Sequence, residues 1–364
     1  MKTAIVYDWI DKWGGVERLL LELCLVFPEA IFYTSYLDTR KARWAKELKV
    51  YESFMGSLPH FLQKNRIASL PFYPFAFESF DFEDFDLVLS VSSFFAKSVI
   101  TRPGVKHINY MLSPPRYLWL YPELYYGNVT KTILSPALTH LKNWDLIAAS
   151  RPDKILAISE TVAKRCRSIY GRSADILYPP FNAEYWFEKK NKEQVYKIPF
   201  NRFFLVVARL EQYKRIDILI NVFRSLPDYN LVVVGEGTQE KKLKKNAPPN
   251  VLFIKNINDA ELASLYTQAE ALIMPQEEDF GYTALEAQAL GCPVVAYNKG
   301  GVTEIVTNKT GIFFSHQSET SVKNALERLH TISYNLKKSA EREGPKQVEL
   351  FSRSRFKNEL FSYL

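Results

Sequence analysis

Five short, almost wholly apolar runs recur in the second half of the chain, at residues 203–208, 231–234, 251–254, 271–274 and 293–297. Helical segments such as 215–226 and 260–267 separate them. Runs of this length without polar alternation are strands buried on both faces, which requires helices covering both sides of a parallel sheet. Alternating β and α at this spacing predicts a doubly wound sheet, whose ligands sit beyond the carboxyl ends of the strands.

The first half opens in the same way. Residues 2–7 read as a strand, 8–15 as a loop, and 16–26 as a helix with Leu19, Leu20 and Leu23 on one side. Residues 86–92, 105–110 and 154–159 continue as strands, and 160–170 as a helix with Ser159 at its N-cap. A Pro179-Pro180 turn and the charged stretch 188–197 break the pattern and mark a linker. The expected architecture is α/β, two Rossmann-like domains facing a cleft: residues 1–178, then 179–345, with a C-terminal helix over 346–364 packing back on the first.

A length of 364 residues supports that division, because a prior of roughly 150 residues per domain gives two. The formal charge of +7 is compatible with phosphates or an anionic membrane surface. Its Lys and Arg residues are dispersed and no nucleic-acid module is readable, so nucleic acid is not an expected partner. Cys24, Cys166 and Cys292 form neither a disulfide framework nor a metal pair, which favours a reducing cytoplasm. No apolar run approaches the about 18 residues that span a bilayer, so membrane contact is expected to be peripheral. The segment 51–80, with Phe54, Met55, Leu58, Phe61 and Leu62 beside Lys64 and Arg66, fits either an amphipathic surface helix or core packing.

Arg209 follows the 203–208 strand and Lys214 lies five residues later, which points both at the ligand crevice. Two cations there suit a diphosphate leaving group, although a solvated basic loop has the same composition. Glu278 and Glu286 stand with seven residues between them, the first in a loop and the second in a helix whose first turn includes Tyr282 and Thr283. Were that interval helical throughout, the carboxylates would be roughly 12 Å apart along the axis, too far to share a proton. Each can instead accept from sugar hydroxyls, while the N–H groups of Gly281, Tyr282 and Thr283 at a helix N terminus suit a diphosphate. Acids near a helix start also occur for dipole reasons alone.

Gly14 and Gly15 precede the first helix and would let backbone approach a phosphate, yet the Gly-x-Gly-x-x-Gly dinucleotide fingerprint is missing. Gly300-Gly301 reads as a plain turn, and Gly235-Glu236-Gly237 as a loop that borders a base. Asp84-Phe85-Asp86 has divalent-metal spacing but sits in a turn, where Asp serves turn chemistry. The five histidines, at 60, 107, 140, 316 and 330, have no metal-ligand spacing.

Together the motifs Ala-Arg-Leu-x-x-x-Lys at 208–214, Glu-x7-Glu at 278–286, Gly-Cys-Pro-Val-Val-Ala at 291–296 and Gly-Gly-x-x-Glu at 300–304 resemble glycosyltransferase family 4. The resemblance implies a retaining, metal-independent enzyme of the GT-B fold with no cofactor, its nucleotide-sugar donor held by the C-terminal domain. In the first half, Tyr7-Asp8-Trp9, Gly14-Gly15-Val16-Glu17, Pro114-Pro115-Arg116-Tyr117-Leu118-Trp119 and Tyr178-Pro179-Pro180 are similar to the O-antigen mannosyltransferase branch typified by WbaZ-like proteins. That implies GDP-mannose as donor and a lipid-linked bacterial surface glycan as acceptor, at the inner face of the membrane.

Carried over by position, Arg209 and Lys214 bind the diphosphate and act in catalysis with Glu278, which holds the sugar. Glu286 binds the ribose, and Phe280, Gly281, Tyr282 and Thr283 line the donor through their backbone. Lys255 and Asn256 fall at the base, and Leu112, Arg116 and Tyr117 on the acceptor side. The family segment before Pro-Pro-Arg-Tyr carries a His where this chain has Leu112. The resemblance leaves its main-chain carbonyl to support the developing oxocarbenium.

Overall fold

The computed structural model describes residues 1–126, 135–192 and 194–364, except for the Lys64 side chain. Glu193, within the expected linker stretch, and the Lys64 side chain of the 51–80 segment therefore lie outside the described residues. The chain divides into two compact units, Met1–Pro179 with Glu359–Leu364, and Pro180–Asn358. The division falls inside the Pro-Pro pair. Of the C-terminal stretch expected to return to the first domain, only Glu359–Leu364 does so. What precedes it belongs to the second unit, as the end of the long helix Glu319–Val348, a short turn, and the start of the helix Arg353–Ser362.

The first unit is built on a seven-stranded sheet: β1 (Thr3–Tyr7), β2 (Ile31–Thr34), β3 (Val50–Glu52), β4 (Leu87–Ser92), β5 (Lys106–Met111), β6 (Lys154–Ala157) and β7 (Asp175–Ile176). All pairs are parallel, in the order β3-β2-β1-β4-β5-β6-β7. β1 and β4 are buried at every residue, as sheet centres covered on both faces must be. The helix Glu160–Tyr170 starts where Ser159 Oγ accepts from the Val162 amide at 3.2 Å, and it stops at Gly171 in the left-handed region. The core of this unit is strongly aromatic, with Trp9, Tyr73, Phe77, Phe94, Phe95 and Tyr117 packed together.

The second unit holds six parallel strands: β8 (Phe204–Val207), β9 (Leu231–Val234), β10 (Val251–Ile254), β11 (Leu272–Met274), β12 (Val294–Tyr297) and β13 (Gly311–Phe314). Their order is β10-β9-β8-β11-β12-β13, so the chain winds one way from β8 and the other way from β11. β8 and β11 are neighbours at that reversal. Ligands of open parallel sheets bind at such a switch point, because the loops there diverge and leave a crevice at the strands' carboxyl ends.

The 51–80 segment is neither one amphipathic helix nor pure core. It breaks into β3, a turn at Phe54–Ser57, short helices at His60–Lys64 and Tyr73–Glu78, and a turn between them. Met55 and Leu70 are buried while Phe61 stays 70% exposed, since Pro59, Pro71 and Pro74 interrupt any continuous stripe. Among the described residues no helix is long and apolar enough to cross a membrane.

Candidate functional site

In the second unit the candidates lie in the strand-end loops or in the helix Tyr282–Ala289 that follows one of them. Arg209 follows β8, Lys214 closes a turn at Gln212–Lys214, and Arg215 caps the next helix, Ile216–Arg224, with a φ of 54°. Glu278, Phe280 and Gly281 fill the loop between β11 and the helix Tyr282–Ala289. Because β8 and β11 are adjacent, the two loops meet. Lys214 Nζ forms an ion pair with Glu278 Oε1, and both side chains are largely shielded. Gln276, buried, donates through Nε2 to the same Oε1 at 2.7 Å.

The two cations are placed differently. The charge of Lys214 is already met by Glu278, whereas Arg209 is exposed and donates through Nη2 to Tyr213 Oη at 2.7 Å. The two shielded side chains hold each other in place.

Gly300 is no plain turn. Its φ is 87°, and a Cβ there would lie 2.2 Å from the Glu278 carbonyl oxygen. The Gly301 amide donates to that same oxygen at 2.8 Å. The Gly300-Gly301 loop is thus a rest for the Glu278 backbone, possible only where no side chain intervenes. Gly235 plays the same part on the other side: its φ is 141° and a Cβ would meet the Ala208 carbonyl oxygen at 2.0 Å, one residue before Arg209.

Gly281, with a φ of 117°, turns the chain into the helix Tyr282–Ala289, which has no side-chain cap. The start of that helix aims backbone N–H groups and the positive end of its dipole toward the strand-end crevice. Tyr282 Oη donates to the Pro180 carbonyl at 3.2 Å. Glu286 is buried and accepts from Tyr266 Oη at 2.9 Å. The Phe280 ring packs against Tyr282 and Phe351. Lys255 and Asn256 follow β10; Lys255 Nζ lies 3.8 Å from Glu240, and Asn256 takes the left-handed conformation with a φ of 57°.

The first-unit candidates are placed differently. Gly14 caps the helix Gly15–Val26 in an extended conformation that any residue adopts, and Glu17, buried in the first turn, sits against it. Burial raises the Glu17 carboxyl above its ordinary range. Leu112 follows β5, is buried, and donates its amide to the Ser92 carbonyl at 2.8 Å. Arg116 opens the short helix Arg116–Trp119. Tyr117 is buried, its ring 4.4 Å from that of Phe94, and its hydroxyl has no partner. Asp84 lies 3.6 Å from Lys2 Nζ, and the Lys2 amide donates to Asp86 Oδ2 at 2.6 Å.

Gln276, Tyr213 and Tyr266 are partners the motifs do not name. For two of them the signal was proximity alone, Gln276 standing two residues before Glu278 and Tyr213 one before Lys214; Tyr266, 20 residues before Glu286, gave none.

Residues 188–347 match the family described as glycosyl transferases group 1. Over 322 residues the chain is 25% identical to an uncharacterized glycosyltransferase of Haemophilus influenzae, covering 85% of this chain and 84% of that one. It is 27% identical over 227 residues to the capsular polysaccharide biosynthesis glycosyltransferase CapM of Staphylococcus aureus, covering 56% and 58% respectively. The chain spans about half the length of several curated relatives it matches. HepE of Anabaena, solved in complex with UDP, superposes on 100% of this chain and 99% of its own with a TM-score of 0.70 at 15% identity. At that identity the likeness is one of fold: two Rossmann-like domains of the GT-B class.

Proposed function

We propose that this chain is a glycosyltransferase whose second unit holds a nucleotide-sugar and releases its diphosphate. The observation that carries the reading is the Lys214–Glu278 pair at the reversal between β8 and β11, beside the start of the helix Tyr282–Ala289. It sits inside the stretch that matches glycosyl transferases group 1. In the reaction the bond from the sugar C1 to the phosphate oxygen breaks, its electron pair staying on the departing phosphate. Arg209, Lys214 and the helix N terminus meet that charge as it grows, which lowers the barrier rather than merely tightening binding. Glu278 accepts from sugar hydroxyls and Glu286 from the ribose. The acceptor hydroxyl oxygen bonds to C1, and its proton passes to the departing phosphate oxygen.

The finer reading is an α-mannosyl transfer from GDP-mannose, with retention and no metal, to a lipid-linked bacterial surface glycan at the inner face of the membrane. Its support is the first-half motifs, together with the relative CapM for a surface polysaccharide. A UDP-sugar is the second reading for the donor, favoured by the UDP complex of HepE. A thermal-shift screen with GDP-mannose, UDP-glucose, UDP-N-acetylglucosamine and dTDP-rhamnose, with and without EDTA, separates them, because a ligand bound only by the native state raises its stability. The largest shift is expected with GDP-mannose and is unchanged by EDTA. A shift that vanishes in EDTA and returns with Mg²⁺ would contradict the metal-free reading, and no shift with any donor would sink the function.

A further inference from the structure

Glu286 meets a partner that no motif names. The Tyr266 hydroxyl, 20 residues earlier in the chain, donates to Glu286 Oε2 at 2.9 Å, and both side chains are buried. A phenylalanine would fill the same space without a polar atom to desolvate. A buried hydroxyl destabilises unless it bonds, so its presence at this wholly buried position follows from the carboxylate it meets.

The tyrosine is itself held. It projects from the helix Asp259–Gln268, whose start is closed by a capping box. Asn258 Oδ1 accepts from the Ala260 and Glu261 amides at 2.9 and 3.0 Å, and Glu261 Oε2 accepts from the Asn258 amide at 2.8 Å. The helix end is closed by Lys337, whose Nζ donates to the Thr267 and Ala269 carbonyls at 3.1 and 2.8 Å. Trp186, buried on the helix Ala183–Lys190, sets its ring edge-on to Tyr266 with 6.2 Å between centroids. Its neighbour Tyr185 donates to Asp259 at the first turn of the Tyr266 helix. With both helix ends tied and the ring packed, the hydroxyl has little room to move.

A glutamate needs such help. Its first two side-chain torsions settle into staggered wells, but the last, which sets the plane of the carboxylate, is broad. A hydrogen bond from a fixed donor to one oxygen selects that plane. Without it the ligand would have to order the carboxylate, and ordering at the moment of binding is subtracted from affinity.

We propose that Tyr266 is a positioning residue of the donor site, its hydroxyl presetting the plane of the Glu286 carboxylate for the vicinal hydroxyls of the nucleotide's ribose. The role rests on the ribose reading of Glu286 above. Being wholly buried, Tyr266 acts only through Glu286, so its contribution belongs to nucleotides that carry those hydroxyls.

The test is calorimetric titration of the full chain with GDP and UDP, each set beside its 2′,3′-dideoxy analogue, which lacks both hydroxyls. Wild type is expected to prefer the ribonucleotide about 30-fold, as for hydrogen bonds to a charged group. Tyr266→Phe should shrink that preference about tenfold while binding the dideoxy analogue within about twofold of wild type. The retained dideoxy affinity also reports that the variant is folded. Added to Glu286→Gln, which removes the charged acceptor, Tyr266→Phe should change the preference no further, because the two residues act as one unit. Equal weakening of both ligands by Tyr266→Phe, or an undiminished preference, would overturn the positioning role. If Glu286→Gln abolishes the preference and Tyr266→Phe keeps it, that role falls alone. If Glu286→Gln keeps it, or neither nucleotide binds wild type, the ribose reading falls and the positioning role with it.

Discussion

The carboxyl ends of the two sheets are finished in opposite ways. In the second unit the charged groups compensate one another, Lys214 with Glu278, and the loops are held by backbone resting on glycine, Gly300 under Glu278 and Gly235 under Ala208. In the first unit one carboxylate is saturated: Asp8 accepts from Ser93 N at 2.8 Å, Ser93 Oγ at 3.1 Å, and the Phe95 and Ala96 amides at 2.8 Å each. Three residues later Asp11 Oδ1 is buried and unpartnered, as are Trp9 Nε1, Tyr73 Oη and Tyr117 Oη of the aromatic core. A site that binds a diphosphate needs its charges preset, since they must be in place before negative charge develops.

That contrast can be broken at several points. Lys214→Ala should have the largest effect, lowering turnover about 100-fold or more; steady-state rates with donor in excess measure it. Gly300→Ala follows: a methyl placed 2.2 Å from the Glu278 carbonyl must push that loop away. Turnover should fall about tenfold or more, together with the melting temperature, because positive-φ backbone and a close approach are lost at once. A Gly300→Ala variant with normal rate would show that the Glu278 backbone is not fixed by this loop.

The smallest effect lies in the first unit. His107 is wholly buried between Ser90, 2.8 Å from its Nε2, and a shielded Nδ1 without a partner. Burial pushes its pKa down to about 3. The unfolded chain then binds a proton that the native state refuses, so its contribution to stability is complete above about pH 6.5 and is lost as pH falls toward 3. Denaturant titrations should show stability declining through that window, and His107→Gln should flatten the decline. A decline of the same size in the variant would assign it to other groups.

The sheet of the second unit was legible because its strands are uninterrupted apolar runs, four of them buried almost end to end. β13 was not, because it spans only Gly-Ile-Phe-Phe and begins at a glycine whose place is set by Val294. In the first unit, β2, β3 and β7 are short, and much of their surface is only partly buried or exposed, so no run stands out. Single donor-side residues could be named from motifs, yet the pairing of Lys214 with Glu278 joins positions 64 apart and has no local signature. The Asp11 cluster is less legible still, because it joins Asp11 to Tyr36 and Arg66, 25 and 55 residues on, through three separate loops.

The central claim, that the strand-end ring of the second unit stabilises a departing diphosphate, is tested most directly by Arg209→Ala, whose exposed side chain can be removed without unpairing a buried charge. The measurement is the single-turnover transfer rate at saturating donor, set beside the donor Kd of the same variant. The expected result is a rate lowered about 100-fold with Kd changed by less than about tenfold, the signature of an interaction that strengthens in the transition state. An unchanged rate, or a loss confined to Kd, would mean that Arg209 only holds the donor and that the charge of the leaving group is met elsewhere.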